Sequence, residues 1–566
     1  MRYWKALAYC RDTLVTEEWK SVSLDDITQA LGCTRRNAQL VIKRLTEEGN
    51  IGWKPGVGRG NLPQAILLKS VNERVERHAK RLMKEGKTEQ AIALVPASER
   101  DQFIVEFVAQ YQTGVGDEHI LQVPFYRGTH NLDVIGISRR SESHIANHLY
   151  ARLVFWDNST QEFKGDLAHY WEKTEQGVLF YLRKGLRFHD GSPILADDIR
   201  RHFERLMSSS YSTKVIYQFI DHVAVHDDWR IEFLSKALPD LIPNLLSSCV
   251  MGIAKKDKGR IIGSGPFMLQ EQTEWRTLLN VFPYYHGHRP WIDGVEIWNV
   301  GDKAKDFELN SDVVHGVHLQ NRSRDGFEEK TQWEQGCIYA QLNPNRFAWM
   351  KKRSHRKWLQ YVIRSMPLPE VTWGEDVAYA EGMTKSPVLE KVNLGREPLM
   401  PEVLPSEPLK IVTYQLGIHI ATAQQIYEAL SSRGVECELM VYAFPKFDLV
   451  ETLVKADIIV SGEVFAEDIE LSWMSWFLST NTSNACLVPK YMDWVKDKVV
   501  RAMQLPNKPQ RLKQLEQTEQ SLVAKGLYQP IFHIRQHMSV SEKLTTTTLL
   551  PNGWIDFTQV VIKPSG

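Results

Sequence analysis

The sequence predicts a multidomain protein in which a small N-terminal α+β domain, with the pattern of a winged helix-turn-helix, precedes a large α/β region. The chain has 566 residues, which is too long for one hydrophobic core. Residues 1–70 carry closely spaced helix-start and helix-stop signals, whereas strand and helix patterns alternate from about residue 118 onward. We therefore expect a domain over residues 1–70, a charged helical connector over residues 71–117 and an α/β region over residues 118–566.

Two short helices are predicted near the N-terminus, after an amphipathic helix over Arg2–Thr13. Ser23 precedes a stretch with helical apolar spacing over Leu24–Leu31. Asp26 comes three residues after Ser23, and this spacing is a capping-box pattern with Asp in the carboxylate role. Gly32 should then end this helix.

The next helix should begin with Thr34 as its N-cap and end near Glu48, where Gly49 stops it. Two helices joined by a short turn that contains glycine form the helix-turn-helix pattern. A hairpin follows as the wing, with its first strand, tip and second strand at Ile51–Lys54, Pro55–Asn61 and Leu62–Lys69.

The second helix of this pair has a basic face of the kind that reads DNA. Between Thr34 and Thr46 there are four basic residues and no acidic residue. Arginine pairs bidentately with guanine, glutamine pairs with adenine, and lysine neutralises phosphate. The opposite side carries the apolar stripe Ala38, Val41, Ile42 and Leu45. We expect DNA contacts from Thr34, Arg35, Arg36, Asn37, Gln39, Lys43 and Arg44, and from Arg59 in the wing.

Two other interpretations of these residues are possible. A basic helical face by itself is more often an ordinary solvated surface. The order of capped helix, glycine turn, acid-free helix and wing favours DNA binding instead. The glycine-rich tip could also hold a phosphate, but it lacks the Lys-Ser/Thr ending of a P-loop and no helix pattern follows it.

Composition restricts the location and partners of the protein. The 69 basic residues balance 69 acidic ones, so a DNA-binding surface must be a local patch. The first residues do not form a secretory signal, and no apolar run approaches the roughly 20 residues that span a bilayer. No CxxC pair occurs among Cys10, Cys33, Cys249, Cys337, Cys437 and Cys486. Scattered cysteines fit a reducing compartment, and we expect a cytoplasmic protein without membrane contact.

Three segments of the large region resemble the signatures of family 5 extracytoplasmic solute-binding proteins. They read LRFHDGSPILADDIRRHFERL at Leu186–Leu206, IGSGPFML at Ile262–Leu269 and LNVFPYYHGHRPWIDGVEIW at Leu279–Trp298, in the order of that family. The sequence departs from the family at Tyr285, where Trp is usual, and at His286, where Gly is usual. The resemblance implies a large two-lobed α/β periplasmic-binding-protein-like (type II) fold. Lobe 1 would span residues 118–300 plus 537–566, and lobe 2 would span residues 301–536.

The signature residues themselves have structural roles. Gly191 permits a turn, and Asp197 or Asp198 can cap a helix over Ile199–Met207. Gly263 and Gly265 suggest a bend or a close backbone approach.

The two domain types together are similar to SgrR-type transcriptional regulators. Four further segments resemble that family: CTRRNAQ at Cys33–Gln39, VGRG at Val57–Gly60, RRSESHIA at Arg139–Ala146 and DLAHYW at Asp166–Trp171. The resemblance covers essentially the whole chain. It implies a cytoplasmic regulator of sugar-phosphate stress that controls a small-RNA gene and its own gene.

Two groups of polar residues are candidates for solute contacts, because two-lobed binders close around a ligand at the lobe interface. The first group is Arg139, Arg140, Ser141, Glu142 and His144. The second is His533, Arg535 and His537, which share one face if Ile531–Val540 is a strand. Such donors suit an anionic solute, for example a sugar phosphate, and a peptide-like solute is an alternative ligand. A solvent-exposed strand face explains the second group equally well.

Three function classes remain open at this point. The leading one is a ligand-responsive regulator with double-stranded DNA and a small solute as partners. The alternatives are a solute-binding component of a transporter and an α/β enzyme. No GxSxG elbow, HExxH, P-loop or Rossmann fingerprint occurs in the sequence, so we expect no catalytic residue, no cofactor and no metal site. No coiled-coil heptads occur that would impose an oligomeric state.

Overall fold

The structure is a computed structural model. It describes residues 1–16, 18–56, 61–110, 119–125, 127–137, 139–301, 309, 311–315, 325–369, 376–390, 397–545 and 547–563. No helix in these ranges is both long enough and apolar enough to cross a membrane.

The N-terminal domain packs helices against a three-stranded sheet. Its elements are α1 (Arg2–Thr13), β1 (Lys20–Ser21), α2 (Leu24–Leu31), α3 (Arg35–Glu47), β2 (Ile51–Lys54) and β3 (Gln64–Leu67). The strand β3 lies between β1 and β2 and is antiparallel to both. The predicted helix pair and hairpin are therefore present, and the second wing strand is two residues shorter at each end than the sequence suggested.

The caps of α2 and α3 explain their boundaries. Ser23 Oγ accepts a hydrogen bond from the backbone N–H of Asp25 at 3.1 Å, and Gly32 ends α2 in the left-handed region at φ 56°. Thr34 occupies the N-cap position of α3, but its side chain makes no capping hydrogen bond. The predicted N-cap position is therefore confirmed, while the side-chain bond that usually accompanies it is not made.

The connector consists of helices that pack on the winged helix. They are α4 (Asn72–Lys84), α5 (Thr88–Ile92) and α6 (Arg100–Gln110). The ring of His78 in α4 stacks on Trp4 of α1 at 3.9 Å between centroids. Arg74 donates to the Tyr3 hydroxyl at 3.1 Å and to Asn50 Oδ1 at 3.2 Å. The position of α3 is thereby tied to the connector.

The first part of the large region contains two four-stranded sheets. Its elements are β4 (Ile120–Phe125), α7 (Arg140–Leu149), β5 (Val154–Asp157), β6 (Glu162–Gly165), β7 (Ala168–Lys173), β8 (Gly177–Leu182), α8 (Ala196–Met207), β9 (His222–Asp227), β10 (Arg230–Leu234), α9 (Ile242–Ser247), β11 (Lys255–Asp257), β12 (Arg260–Ile262), β13 (Phe267–Gln272), β14 (Arg276–Val281) and β15 (Gly294–Asn299). One sheet has the strand order β13-β14-β15-β4, and the other has the order β7-β8-β10-β9.

The signature residues in this part have the structural roles that the sequence suggested. Asp198 Oδ2 accepts a hydrogen bond from the backbone N–H of Leu195 at 2.9 Å, so Asp198 caps α8, which begins at Ala196 instead of Ile199. A Cβ atom on Gly265 would lie 2.5 Å from the carbonyl oxygen of His148, so this position tolerates no side chain.

The second part centres on an eight-stranded sheet. Its elements, with the chain end, are β16 (Val313–His315), β17 (Phe327–Trp333), β18 (Gly336–Leu342), α10 (Ala348–Lys351), α11 (Arg353–Ser365), β19 (Asp376–Tyr379), β20 (Leu409–Tyr414), α12 (Gly417–Ser431), β21 (Cys437–Tyr442), α13 (Val450–Leu453), β22 (Ile458–Val464), α14 (Ile469–Ser479), α15 (Asn481–Cys486), α16 (Pro489–Met503), α17 (Lys508–Ala524), β23 (Tyr528–Ser541), β24 (Leu544–Thr545) and β25 (Val561–Ile562).

The strand β23 organises this sheet. Its first half pairs with β18, its second half pairs with β17, and β19 and β16 pair along its other edge. It runs without interruption through the lobe boundary that the sequence analysis placed between residues 536 and 537. The main path of the sheet continues from β18 through β22 and β20 to β21.

One hydrophobic core joins the N-terminal domain, the connector and the first part of the large region. It extends from α1 through α4 and α6 to Trp298 and Val300 at the end of β15. The rings of Phe107 in α6 and Trp298 are 5.8 Å apart, and the Arg276 guanidinium lies 5.3 Å from the Trp298 ring. The connector is therefore buried on both sides and is not a free linker.

Candidate functional sites

The helix α3 presents the basic face that the sequence predicted. Arg35, Arg36, Gln39 and Lys43 are exposed, while the predicted inward stripe contains the buried residues Ala38, Ile42 and Leu45. Among the described residues, neither Arg35 nor Arg36 has an ion-pair or hydrogen-bond partner. Two guanidinium groups on one face are thus available to an external anion.

The other predicted DNA contacts differ in their surroundings. Thr34 is exposed and Asn37 is partly exposed. Arg44 bonds to Glu48 at 2.9 Å and stacks over the Tyr3 ring at 4.6 Å, so part of its binding capacity is used inside the domain. Lys43 is 3.7 Å from Glu47, in a pair that is mostly exposed.

The structure adds one residue to the basic face. Leu40 lies between the basic positions and is 59% exposed, where it can contact a thymine methyl group. The sequence did not predict this contact, because only the polar and basic residues of the helix were considered as DNA contacts. Arg59, at the tip of the wing, lies outside the described residues.

The first group of ligand candidates lies on the first turns of α7. Arg139, Ser141 and Glu142 are buried. The Glu142 carboxylate accepts hydrogen bonds from Arg139, from the Ser141 hydroxyl at 2.8 Å and from the backbone N–H of His130 at 3.1 Å. This network holds the Arg139 side chain in place.

Arg139 and Arg140 face the second part of the large region. Arg140 forms an ion pair with Glu334, which follows β17, and Arg139 lies over the Phe444 ring at 4.7 Å. We call these four residues the lobe junction. The α7 candidates therefore lie where the two parts of the fold meet, as a ligand-closing site requires.

His144 has a different environment from its neighbours. It is buried, stacks on Trp554 at 4.9 Å and contacts Phe557 at 4.8 Å. Burial lowers the pKa of His144 well below its usual range. In this structure it packs the chain end against α7.

The second group of candidates is surrounded by acceptors. His537 is 2.6 Å from Glu329 and 3.3 Å from Asp376, and Arg535 bonds to the same Asp376 at 3.3 Å and to the Thr331 hydroxyl. His533 Nδ1 is 2.6 Å from the carbonyl oxygen of Gly336, and its side chain is buried. Two carboxylates thus already contact Arg535 and His537, and a backbone carbonyl contacts His533.

The sequence analysis missed two residues near the lobe junction. His419 lies in the first turn of α12, is buried, and both of its ring nitrogens lack a hydrogen-bond partner among the described residues. Burial and the charges of Arg127 and Arg140 lower its pKa to about 3. Glu463 near the end of β22 is influenced by the same Arg140, and burial raises its pKa to about 7. Long-range sheet topology brings them together, and no local pattern marks them.

Glu463 yields a prediction about pH. Its folded-state pKa of about 7 exceeds the ordinary value of 4.5, so the folded protein holds this proton while the unfolded chain releases it. The free energy of unfolding therefore falls as pH rises through this window, by at most about 1.4 kcal/mol per unit from this group. We expect Glu463→Gln to remove that contribution, so that the variant gains stability relative to the original protein between pH 5 and 7. Denaturant titrations across this range measure it, and a pH-independent difference would contradict it.

Comparison with known proteins covers both domains. Residues 7–114 match the N-terminal domain of sugar transport-related sRNA regulators, and residues 162–363 match the middle region of bacterial extracellular solute-binding proteins, family 5. The HTH-type transcriptional regulator SgrR of Shigella dysenteriae is 23% identical over 559 residues, which cover 96% of each chain.

Solved structures resemble the large region. A dipeptide-binding protein from Pseudoalteromonas in complex with Met-Leu has a TM-score of 0.63 and 17% identity, covering 78% of this chain and 100% of that one. The protein AgaA from Agrobacterium tumefaciens in complex with agropinic acid has a TM-score of 0.63 and 14% identity, covering 79% and 99%. These similarities establish the two-lobed solute-binding fold.

A winged helix with a basic recognition face, joined to a solute-binding fold, defines a ligand-sensing transcriptional regulator. Both domain models match, and the relative that spans 96% of the chain is itself a regulator of this kind. The chain therefore has the domain arrangement of the SgrR-type transcriptional regulators.

Proposed function

We propose that this regulator acts in the cytoplasm, reads double-stranded DNA with the exposed face of α3, and changes its DNA affinity when a small solute binds at the lobe junction. The observation that carries the proposal is the pair Arg35 and Arg36 on α3, which are exposed and have no partner in the part of the chain that the structure describes. Gln39, Lys43 and Leu40 extend the same face with groups suited to adenine, phosphate and thymine.

The solute that fits the lobe junction is small and carries an anionic group, as a sugar phosphate or a peptide-like acid does. Arg139 and Arg140 offer guanidinium groups there, and His419 offers ring nitrogens that no other described residue bonds. The similar binding proteins hold a dipeptide in one case and agropinic acid in another. Both groups are paired with carboxylates, so the lobe junction is preferred over His533, Arg535 and His537 because it lies where the two parts of the fold meet.

The connector supports coupling between the two sites. Its helices contact α1 on one side and Trp298 on the other, so a movement of the large region reaches the winged helix through packed side chains. A coupling free energy of about 1–3 kcal/mol would change DNA affinity roughly 5- to 150-fold.

The DNA assignment is tested by Arg36→Ala. We expect specific DNA binding to weaken by about 1–3 kcal/mol, because a bidentate contact to guanine is lost. Gel-shift titration at fixed salt measures it. Arg501→Ala removes the same charge from the exposed, distant α16 and should leave affinity unchanged. Equal affinity of the two variants would contradict the role of α3.

Solute sensing requires a paired measurement. Calorimetry with a panel of sugars, sugar phosphates and dipeptides should identify a binder, and DNA titration with and without that binder in the same buffer should show the coupling. Tight solute binding with unchanged DNA affinity and unchanged transcription in vitro would disprove the switch while leaving both domain assignments intact.

A further inference from the structure

The two positions at which this sequence departs from the family 5 signature converge on one carboxylate. His286 Nε2 lies 2.7 Å from Asp166 Oδ1, and the Tyr285 hydroxyl donates to the same oxygen at 3.1 Å. The backbone N–H of Arg152 donates to Asp166 Oδ2 at 2.8 Å. Asp166 is therefore held by three contacts inside the fold, and it orients the imidazole of His286.

His286 forms part of an open depression of about 510 Å³ on the first part of the large region. The residues that line it are His169, Tyr181, Leu182, Arg183, Lys184, Gly185 and His286. Four of these seven described residues have basic side chains and none has a carboxylate. The side chains that line the depression are therefore mainly basic, although Tyr181 donates to Glu172 and His286 contacts Asp166 at its edge, and a mainly basic concave surface attracts anions.

The basic side chains of this depression are of two kinds: Arg183 is held in place by backbone carbonyl oxygens, and Lys184 and His169 are exposed. Arg183 Nε donates to the carbonyl oxygen of Asp166 at 2.7 Å, and Nη2 donates to that of Gly165 at 3.3 Å. Carbonyl oxygens position the guanidinium without neutralising its charge. Lys184 and His169 are exposed, and neither has an ion-pair partner among the described residues.

We propose that this depression binds a phosphate group, at a site separate from the lobe junction. A fixed guanidinium, an ammonium and imidazole groups are the donors that phosphate oxygens accept. The exposed Tyr170 ring, 5.8 Å from that of Tyr181, adds an aromatic surface beside the site. The phosphate group can belong to a free phosphate ester or to the backbone of DNA that α3 holds.

Inorganic phosphate is the probe for the first arm of the test, titrated into the full-length chain by calorimetry. We expect Lys184→Gln to weaken phosphate binding about tenfold, because one charge-assisted contact is lost. Lys173→Gln is the matched control, since Lys173 lies on the neighbouring strand β7 and is also exposed but pairs with Asp240. His286→Gly, which restores the residue usual in the family, should weaken binding as well.

The second arm separates the two sources of phosphate. If DNA supplies the phosphate, Lys184→Gln should reduce the slope of log affinity against log salt by about 1. An unchanged slope with weakened phosphate binding assigns the site to a free ester. The proposal is overturned if Lys184→Gln and Lys173→Gln agree in both arms, or if Arg140→Ala at the lobe junction abolishes phosphate binding while Lys184→Gln does not.

Discussion

Trp298→Ala is expected to lower the free energy of unfolding by about 3–5 kcal/mol, as large-to-small substitutions of buried aromatic residues do. Trp298 is 2% exposed and belongs to the core that the N-terminal domain shares with β15. Its loss removes contacts with Phe107 and with the Arg276 guanidinium together. Denaturant titration followed by fluorescence measures the loss. The variant should also weaken the effect of solute on DNA affinity, because the Trp298 ring lies between the large region and the N-terminal domain.

Trp291 provides the matched control for that substitution. It is 54% exposed, on the segment that leads into β15. Trp291→Ala should change stability by less than about 1 kcal/mol, since little apolar surface is buried there. If the two tryptophan variants were equally stable, the shared core would contribute nothing to the attachment of the N-terminal domain.

Glu142→Ala should destabilise the protein by about 3–5 kcal/mol, because it leaves the charge of Arg139 buried without its counter-ion. The side chains of Arg139 and Glu142 are 7% and 3% exposed, respectively, and the Glu142 carboxylate also accepts a hydrogen bond from the backbone N–H of His130. Thermal and denaturant unfolding measure the cost. Solute binding should be lost with it, since α7 supplies the lobe junction.

A paired substitution distinguishes charge from packing. In Arg139→Met/Glu142→Leu both charges are absent, and most of the lost stability should return, although solute binding should not. Glu162→Ala removes a carboxylate from the surface pair with Lys164 and should cost less than about 1 kcal/mol. A double variant as unstable as Glu142→Ala would show that shape, and not the unpaired charge, sets the cost.

The N-terminal domain could be predicted closely because its signals are local. Ser23, Gly32 and Gly49 mark the ends of helices through their own hydrogen bonding or backbone conformation, and the structure has α2 over the predicted Leu24–Leu31. The apolar spacing on α3 likewise separates the buried side from the exposed side within one helix. Thr34 was the exception, because a residue type that favours capping need not make the bond.

The ligand-binding region was less predictable because distant segments build it. His419, Glu463 and Arg140 come from separate helices and strands, and only the order of strands in the sheet brings them near each other. The strand pattern at β23 did place His533, Arg535 and His537 together. Their carboxylate partners Asp376 and Glu329 come from β19 and β17, and no pattern in the sequence of β23 predicts that these strands pair with it.

The core at Trp298 has a consequence for the exchange of domains between regulators of this architecture. A foreign DNA-binding domain joined at the end of the connector would set its last helix against a tryptophan shaped to receive Phe107. Such a hybrid should fold and respond to solute only when Trp298 and Val300 are replaced along with the grafted helices. The helix that carries Phe107 and the strand end that carries Trp298 must therefore be exchanged together, although they lie on opposite sides of the domain boundary in the sequence.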